Sequence, residues 1–156
     1  IEEYADKYGV EYREGTNPWS IKCDCAFPCA TQNEIRAADA NQLCEQGCYL
    51  LAEGANMPTE PEGVQIFINN KILFGPAKAA NAGGVAVSGL EMAQNAQHLT
   101  WSRQEVDEHL KYIMQSIYIS ATEAAEEFGS PGNLVIGANI AGFRKIADAM
   151  LAQGLV

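Results

Sequence analysis

Three short apolar runs, each followed by a stretch of helical pattern, constrain the fold of this chain more than any other feature. Cys23 to Phe27, Tyr49 to Ala52 and Ile72 to Phe74 read as strands. The intervals between them are long enough for a helical crossover, which parallel strands require, so the pattern predicts βα units feeding a parallel sheet. Ala37 to Gln46 reads as a crossover helix stopped by Gly47. Thr59-Glu60-Pro61-Glu62 predicts a second, opened by a capping box with proline in its first turn and ending near Asn69-Asn70. Upstream, Ile1 to Tyr8 reads as a helix ended by Gly9, and Val10 to Tyr12 as a further strand set apart by Gly15, Asn17 and Pro18.

From about Ala79 the signal becomes helical throughout. Val85, Gly89, Met92, Ala93 and Ala96 share one face, on which Ser88 also falls. The next helix has a well-specified start: Ser102 with Glu105 makes a capping box, and Trp101 is placed to staple onto Val106. An apolar stripe of Val106, Leu110, Ile113, Met114, Ile117 and Ala121 follows. Gly129-Ser130-Pro131-Gly132 breaks it, and a last helix carries Ile140, Phe143, Ala147, Met150 and Leu151 before stopping at Gly154. The class is therefore α/β, a parallel sheet followed by C-terminal helices, with a division expected between 1–78 and 79–156.

Composition narrows the function classes. With 156 residues and 47% apolar content the chain can bury a core, which excludes intrinsic disorder. Its net charge of −10, with no basic cluster, argues against nucleic acid as a partner. No apolar run approaches the ~20 residues needed to cross a bilayer, and no signal-peptide pattern opens the chain, so a soluble cytoplasmic protein is expected. The sequence opens on Ile1, already within a helical pattern, and this leads us to expect a piece of a longer protein. Cys23, Cys25, Cys29, Cys44 and Cys48 are odd in number and lack CxxC spacing. We read them as small apolar side chains in a reducing compartment and assign no metal ligand; a zinc-binding protein is the rival reading.

In a parallel sheet, the loops beyond the carboxyl ends of the strands face the ligand crevice. Here they are Pro28 to Glu34, Glu53 to Thr59 and Gly75 to Gly84. All three combine small residues, which let a ligand approach the backbone, with carboxamides that both donate and accept hydrogen bonds. A flat, neutral, amide-bearing ligand such as the end of a nucleotide or dinucleotide fits that chemistry. The glycine turn GxGxxG that would cradle a pyrophosphate is absent from the sequence. His98 and His109 belong to helix patterns with no paired carboxylate or nucleophile, Lys78 reads as solvated, and no catalytic residue is assigned. Ser88 points toward packed structure or a ligand, or bonds back to the carbonyl at 84 or 85.

The blocks Pro-Cys-Ala-Thr-Gln-Asn-Glu at 28–34, Ala-Glu-Gly-Ala-Asn-Met-Pro-Thr at 52–59 and Lys-Ala-Ala-Asn-Ala-Gly-Gly-Val at 78–85 resemble hexameric glutamate dehydrogenases. The resemblance continues through Ser88 to Asn95, Gly137 to Phe143 and Ala147 to Gly154, and is strongest to the small-subunit bacterial and fungal branch. It implies the distal half of a Rossmann-like cofactor domain from a C-terminal fragment, and reversible oxidative deamination of L-glutamate to 2-oxoglutarate and ammonia with NADP, or alternatively NAD, as hydride carrier. It also implies a homo-hexamer for the full-length protein. By the same resemblance, Ala30 and Thr31 would lie beside the nicotinamide ribose, Asn56 and Asn81 would contact the nicotinamide end, and Val85 and Ser88 would meet glutamate, with the Ser88 hydroxyl on its side-chain carboxylate.

The family's catalytic lysine and aspartate and its glycine turn would belong to segments before position 1, so this piece alone is expected not to turn over. Glu60-Pro61-Glu62-Gly63 and the cysteines at 23 and 25 depart from the family pattern. Branched-chain and aromatic amino-acid dehydrogenases share the fold but lack the Asn-Met-Pro-Thr block, and rank second. A non-catalytic nucleotide-binding module is the alternative from another class.

Overall fold

The computed structural model describes residues 1–154. Three strands, β1 (Cys25–Ala26), β2 (Leu50–Ala52) and β3 (Leu73–Gly75), form a parallel sheet in the order β1-β2-β3. Cys25 sits opposite Leu50, and Leu51 opposite Phe74. The crossovers are α2 (Ala37–Glu45) and α3 (Pro61–Asn69), which also pack on each other. The parallel αβ architecture is the one the apolar runs predict, with each strand shorter than its run. Residues such as Cys23 and Phe27 lie beyond the strand ends, and Phe27 is exposed.

The core lies between sheet and crossovers. Ile35, Ala40, Leu43, Leu51 and Phe67 are completely buried, and the rings of Phe67 and Phe74 stack with centroids 5.9 Å apart. Burial of a large apolar side chain contributes about 1.5–3 kcal/mol, so this cluster anchors the edge of the sheet from which the loops emerge. Trp19, in a single helical turn at Pro18–Ser20, closes one side and donates its indole N–H to the Glu34 carbonyl at 3.2 Å. The stops act as expected: Gly9 takes a left-handed φ of 64° after α1 (Glu2–Tyr8), and Gly47 a φ of 90° after α2.

Two expectations in this half are corrected. Val10 to Tyr12 is not a strand; both residues are exposed, and extended chain with no ladder to join gains nothing by its β propensity. Nor does Thr59 cap α3. The N-cap is Glu60, without a side-chain cap, while Thr59 forms a parallel bridge to Ile35 and its buried hydroxyl has no protein partner. Pro61 does occupy the first helical turn.

The helical part comprises α4 (Ala77–Ala80), α5 (Ala82–Gln97), α6 (Arg103–Glu127) and α7 (Leu134–Gln153). The Ser102 hydroxyl accepts the Glu105 N–H at 3.2 Å while the Glu105 carboxylate accepts the Ser102 N–H at 2.7 Å, so the capping box is complete. Trp101 lies beside it with its ring 5.4 Å from that of His109. Helices α6 and α7 cross where Ala121, Ala124 and Ala125 meet Gly137, all buried. Val135 carries α7 onto the core cluster, so the helical part is seated directly on β3. Among the described residues no helix is long and apolar enough to cross a membrane.

The packed face of α5 differs from the one expected. Val85, Ser88, Gly89, Met92 and Ala96 are exposed, Val85 at 78% and Met92 at 72%; of the expected stripe only Ala93 is partly buried. The partly buried positions are Ala82, Gly83, Ala86, Leu90, Ala93 and Gln94. Close approach at Gly83 places this side against α6: a methyl there would stand 3.5 Å from Met114 Sδ and 3.6 Å from Leu110 of α6.

Candidate functional site

Because the strands are parallel, the loops following β1, β2 and β3 emerge along one edge, and backbone bonds tie them together. Gly54 and Ala55 both donate to the Pro28 carbonyl, at 2.9 and 3.0 Å, joining the first two loops. Farther out, Asn33 donates to the Met57 carbonyl at 3.0 Å; both residues hold left-handed φ values, 54° and 53°. That conformation is uncommon for non-glycine residues, and here the bond between the two loops holds it on both sides. Gly54 leaves room for Cys29, whose sulfur occupies the space a Cβ would need.

These contacts frame a cleft of about 320 Å³ lined by Cys29, Ala30, Thr31, Gln32, Gly54, Ala55 and Asn56. No side chain in that lining is charged at neutral pH, in a chain of net charge −10. The Glu34 carboxylate curls beneath the first loop and accepts the N–H groups of Ala30 and Thr31 at 3.0 and 3.4 Å. Those amides are thus already bonded, leaving the Ala30 methyl and Thr31 hydroxyl as the chemistry offered there.

Asn81 stands at the junction of α4 and α5, as the last cap of one and the first of the other, yet its side chain caps neither. Its carboxamide instead donates to the Ala55 carbonyl at 3.2 Å and to Asn56 Oδ1 at 2.9 Å. The structure therefore brings Ala30, Thr31, Asn56 and Asn81 into one neighbourhood. Val85 and Ser88 lie on the exposed side of α5 and do not line the cleft. The Ser88 hydroxyl donates to the Gly84 carbonyl at 3.3 Å, one of the two arrangements open to it. Lys78 is not simply solvated: its ammonium bonds the Asn139 carboxamide of α7.

Sequence reading overlooked Glu53. It is the last residue before the second loop and is only 5% exposed, although acidic. Its Oε1 accepts the Thr59 N–H at 3.2 Å, and its Oε2 the Ala77 N–H at 2.7 Å. A carboxylate directly after an apolar strand was the available signal, since an acid at such a position is buried only with partners.

Cys48 is buried in the core with Cys23 and Cys44 packed against it, Cys25 is half-buried in β1, and Cys29 is exposed. Burial pushes the Cys48 thiol up, and the same cause raises that of Cys44. His98 closes α5 with a left-handed φ of 56°, and His109 packs on Trp101.

Comparison with known proteins gives consistent results. The family model for Glutamate/Leucine/Phenylalanine/Valine dehydrogenase matches residues 1–154. The glutamate dehydrogenase of Bacteroides thetaiotaomicron is 55% identical over 156 residues, covering 100% of this chain and 35% of the relative. The NADP-specific glutamate dehydrogenase of Escherichia coli is 53% identical over 156 residues, again covering 100% and 35%. The crystal structure of Plasmodium falciparum glutamate dehydrogenase superposes with a TM-score of 0.96 at 46% identity, covering 100% of this chain and 34% of that one. The chain thus spans about a third of the length of these relatives.

Proposed function

The chain belongs to the Glutamate/Leucine/Phenylalanine/Valine dehydrogenase family, and from that premise we propose that it forms part of the cofactor side of a glutamate dehydrogenase. The reaction is reversible oxidative deamination of L-glutamate to 2-oxoglutarate and ammonia. The name of the Escherichia coli relative favours NADP, with NAD the alternative. Residues 1–78 supply the distal half of the nucleotide-binding sheet and 79–156 the helices that pack on it. The working enzyme is a soluble homo-hexamer of longer chains.

The observation that carries this reading is the joined pair Asn81 and Asn56 beside an uncharged cleft walled by Ala30, Gly54 and Ala55. A nicotinamide is flat, neutral in its amide group and a donor as well as an acceptor, so carboxamides orient it without trapping it as ion pairs would. When bound, the cofactor supplies the hydride chemistry. The residues of this chain bind and orient. Thr31 offers a hydroxyl beside the ribose, and Asn56 and Asn81 hold the amide end. Val85 and Ser88, exposed on the next helix, meet glutamate. Ser88 has one hydroxyl proton, so bonding a carboxylate means releasing the Gly84 carbonyl, a long contact worth no more than about 1 kcal/mol.

Ligand-observed NMR with NADPH, NADH and L-glutamate tests this. Saturation transfer to the nicotinamide protons is expected, and Asn81→Ala should abolish it while leaving the core amide resonances in place. Transfer that persists unchanged in Asn81→Ala would overturn the assignment of this cleft.

A further inference from the structure

Glu53 closes a circuit that contains both carboxamides of the proposed cofactor edge. From its Oε1 the chain runs to the Thr59 N–H, back through the loop bearing Asn56, across the Asn56–Asn81 bond, along α4 to the Ala77 N–H, and so to its Oε2. Its own N–H donates to the Gly75 carbonyl at 2.9 Å, fixing the carboxylate's root to the end of β3. Every link is a hydrogen bond or a few residues of chain, so a change at Glu53 reaches Asn81 within a single turn of helix.

We propose that Glu53 is a positioning residue: its carboxylate, gripping the second loop with one oxygen and the start of α4 with the other, sets the separation and orientation of Asn56 and Asn81. The inference rests on the functional reading above for its purpose, but not for its geometry. The residue type follows from the task. Two N–H groups converge from different segments, and only an ionised carboxylate presents an acceptor to each. Glutamine presents one acceptor and one donor, so one of the two N–H groups would face an NH₂ and lose its partner in a buried place. Aspartate is a methylene too short to span both. At 2.7 Å the bond to Ala77 is the shorter of the two.

The test uses the chain in two variants that attack the circuit from different sides. Glu53→Gln alters the acceptor. Ala77→Pro deletes only the donor of the second bond; Ala77 is the first residue of α4, where proline is tolerated, and Pro76 before it is already extended (φ −67°, ψ 146°), as a residue preceding proline must be. Each variant is read by the side-chain amide resonances of Asn56 and Asn81 in ¹H–¹⁵N spectra, by the backbone amides of Ile35 and Leu51 as a check on the core, and by NADPH affinity.

With core resonances unmoved, we expect the Asn81 and Asn56 side-chain signals to shift toward solvent-like values in both variants and NADPH to bind at least tenfold more weakly. Should Glu53→Gln unfold the chain, Ala77→Pro decides alone. Unchanged carboxamide signals in the variant that folds would overturn the positioning role. Shifted carboxamide signals in a chain whose unsubstituted form binds no nicotinamide would support the role of Glu53 and count against the cofactor reading instead.

Discussion

The crossing of α6 and α7 permits a sharp test, the substitution Gly137→Ala. A Cβ at position 137 would stand 2.8 Å from the Ala121 carbonyl carbon and 3.1 Å from the Ala125 Cβ, and it would fall within the Ala121 carbonyl oxygen. Comfortable carbon contacts begin near 3.5 Å, so α7 must draw back by about 1 Å. The obstacles are backbone atoms and a Cβ, which cannot rotate aside. Overpacking typically costs about 1–3 kcal/mol, and this case belongs at the upper end. Set against it is the helix-propensity gain of about 1 kcal/mol when alanine replaces glycine. The net expectation is a loss of roughly 2 kcal/mol, or a Tm lowered by roughly 4–8 °C for a chain of this size. Gly142 is the internal control, because it lies on the same helix with nothing within 4 Å of its missing Cβ. Thermal unfolding followed by circular dichroism at 222 nm should show Gly137→Ala falling and Gly142→Ala holding or rising. Equal behaviour of the two would refute the argument that the helices are held at backbone distance.

Three further outcomes follow from the structure. Ser102→Ala should cost about 1 kcal/mol in denaturant titrations at pH 7, the usual worth of an N-cap. Glu105 is held below the ordinary carboxylate range by the Ser102 N–H, then by its hydroxyl; a lowered folded-state pKa means its contribution is present at neutral pH and lost as acid protonates it below about pH 4. Glu105→Gln should therefore flatten the stability profile over that acid range, and an unaltered profile would contradict the capping box. Thiol labelling at pH 8, read by mass spectrometry, should modify exposed Cys29 first and buried Cys48 last, since burial both shields the Cys48 thiol and raises its pKa. Equal rates at the two would be incompatible with the core described.

The sequence made certain features legible because they are decided locally. Gly9, Gly47 and Gly154 end helices through backbone conformations that other residues adopt at a cost, and Ser102 with Glu105 carries its own geometry within one turn. The three strands were legible because an apolar run between polar loops has few alternatives. The errors arise where partners distant in sequence decide. Thr59 has the spacing of a cap, but Ile35 claims its backbone for a bridge and Glu53 claims its N–H. The α5 stripe is expected on Val85, Gly89, Met92, Ala93 and Ala96, whereas the close approach of Gly83 to Leu110 and Met114 turns the neighbouring face inward. Asn56 and Asn81 were reached through resemblance; that they bond each other is a tertiary fact. Glu53 was hidden for the same reason, since no local pattern reports that two amides from separate segments converge on one acid.

The order β1-β2-β3 also bears on how the chain reaches this structure. Each strand pairs with its neighbour in sequence, Cys25 with Leu50 and Leu50 with Leu73, so each pairing closes a loop of roughly 25 residues. Among the described residues no strand pairing of this sheet waits for a remote segment to arrive, and the entropic barrier to each closure is nearly the same. The sheet can grow one βα unit at a time, with β2 as the shared seed, and α7 docks onto β3 once that strand is in place. Sequential closure of this kind keeps the contact order of the sheet low for a parallel architecture and shortens the time its strand edges stand exposed to other chains.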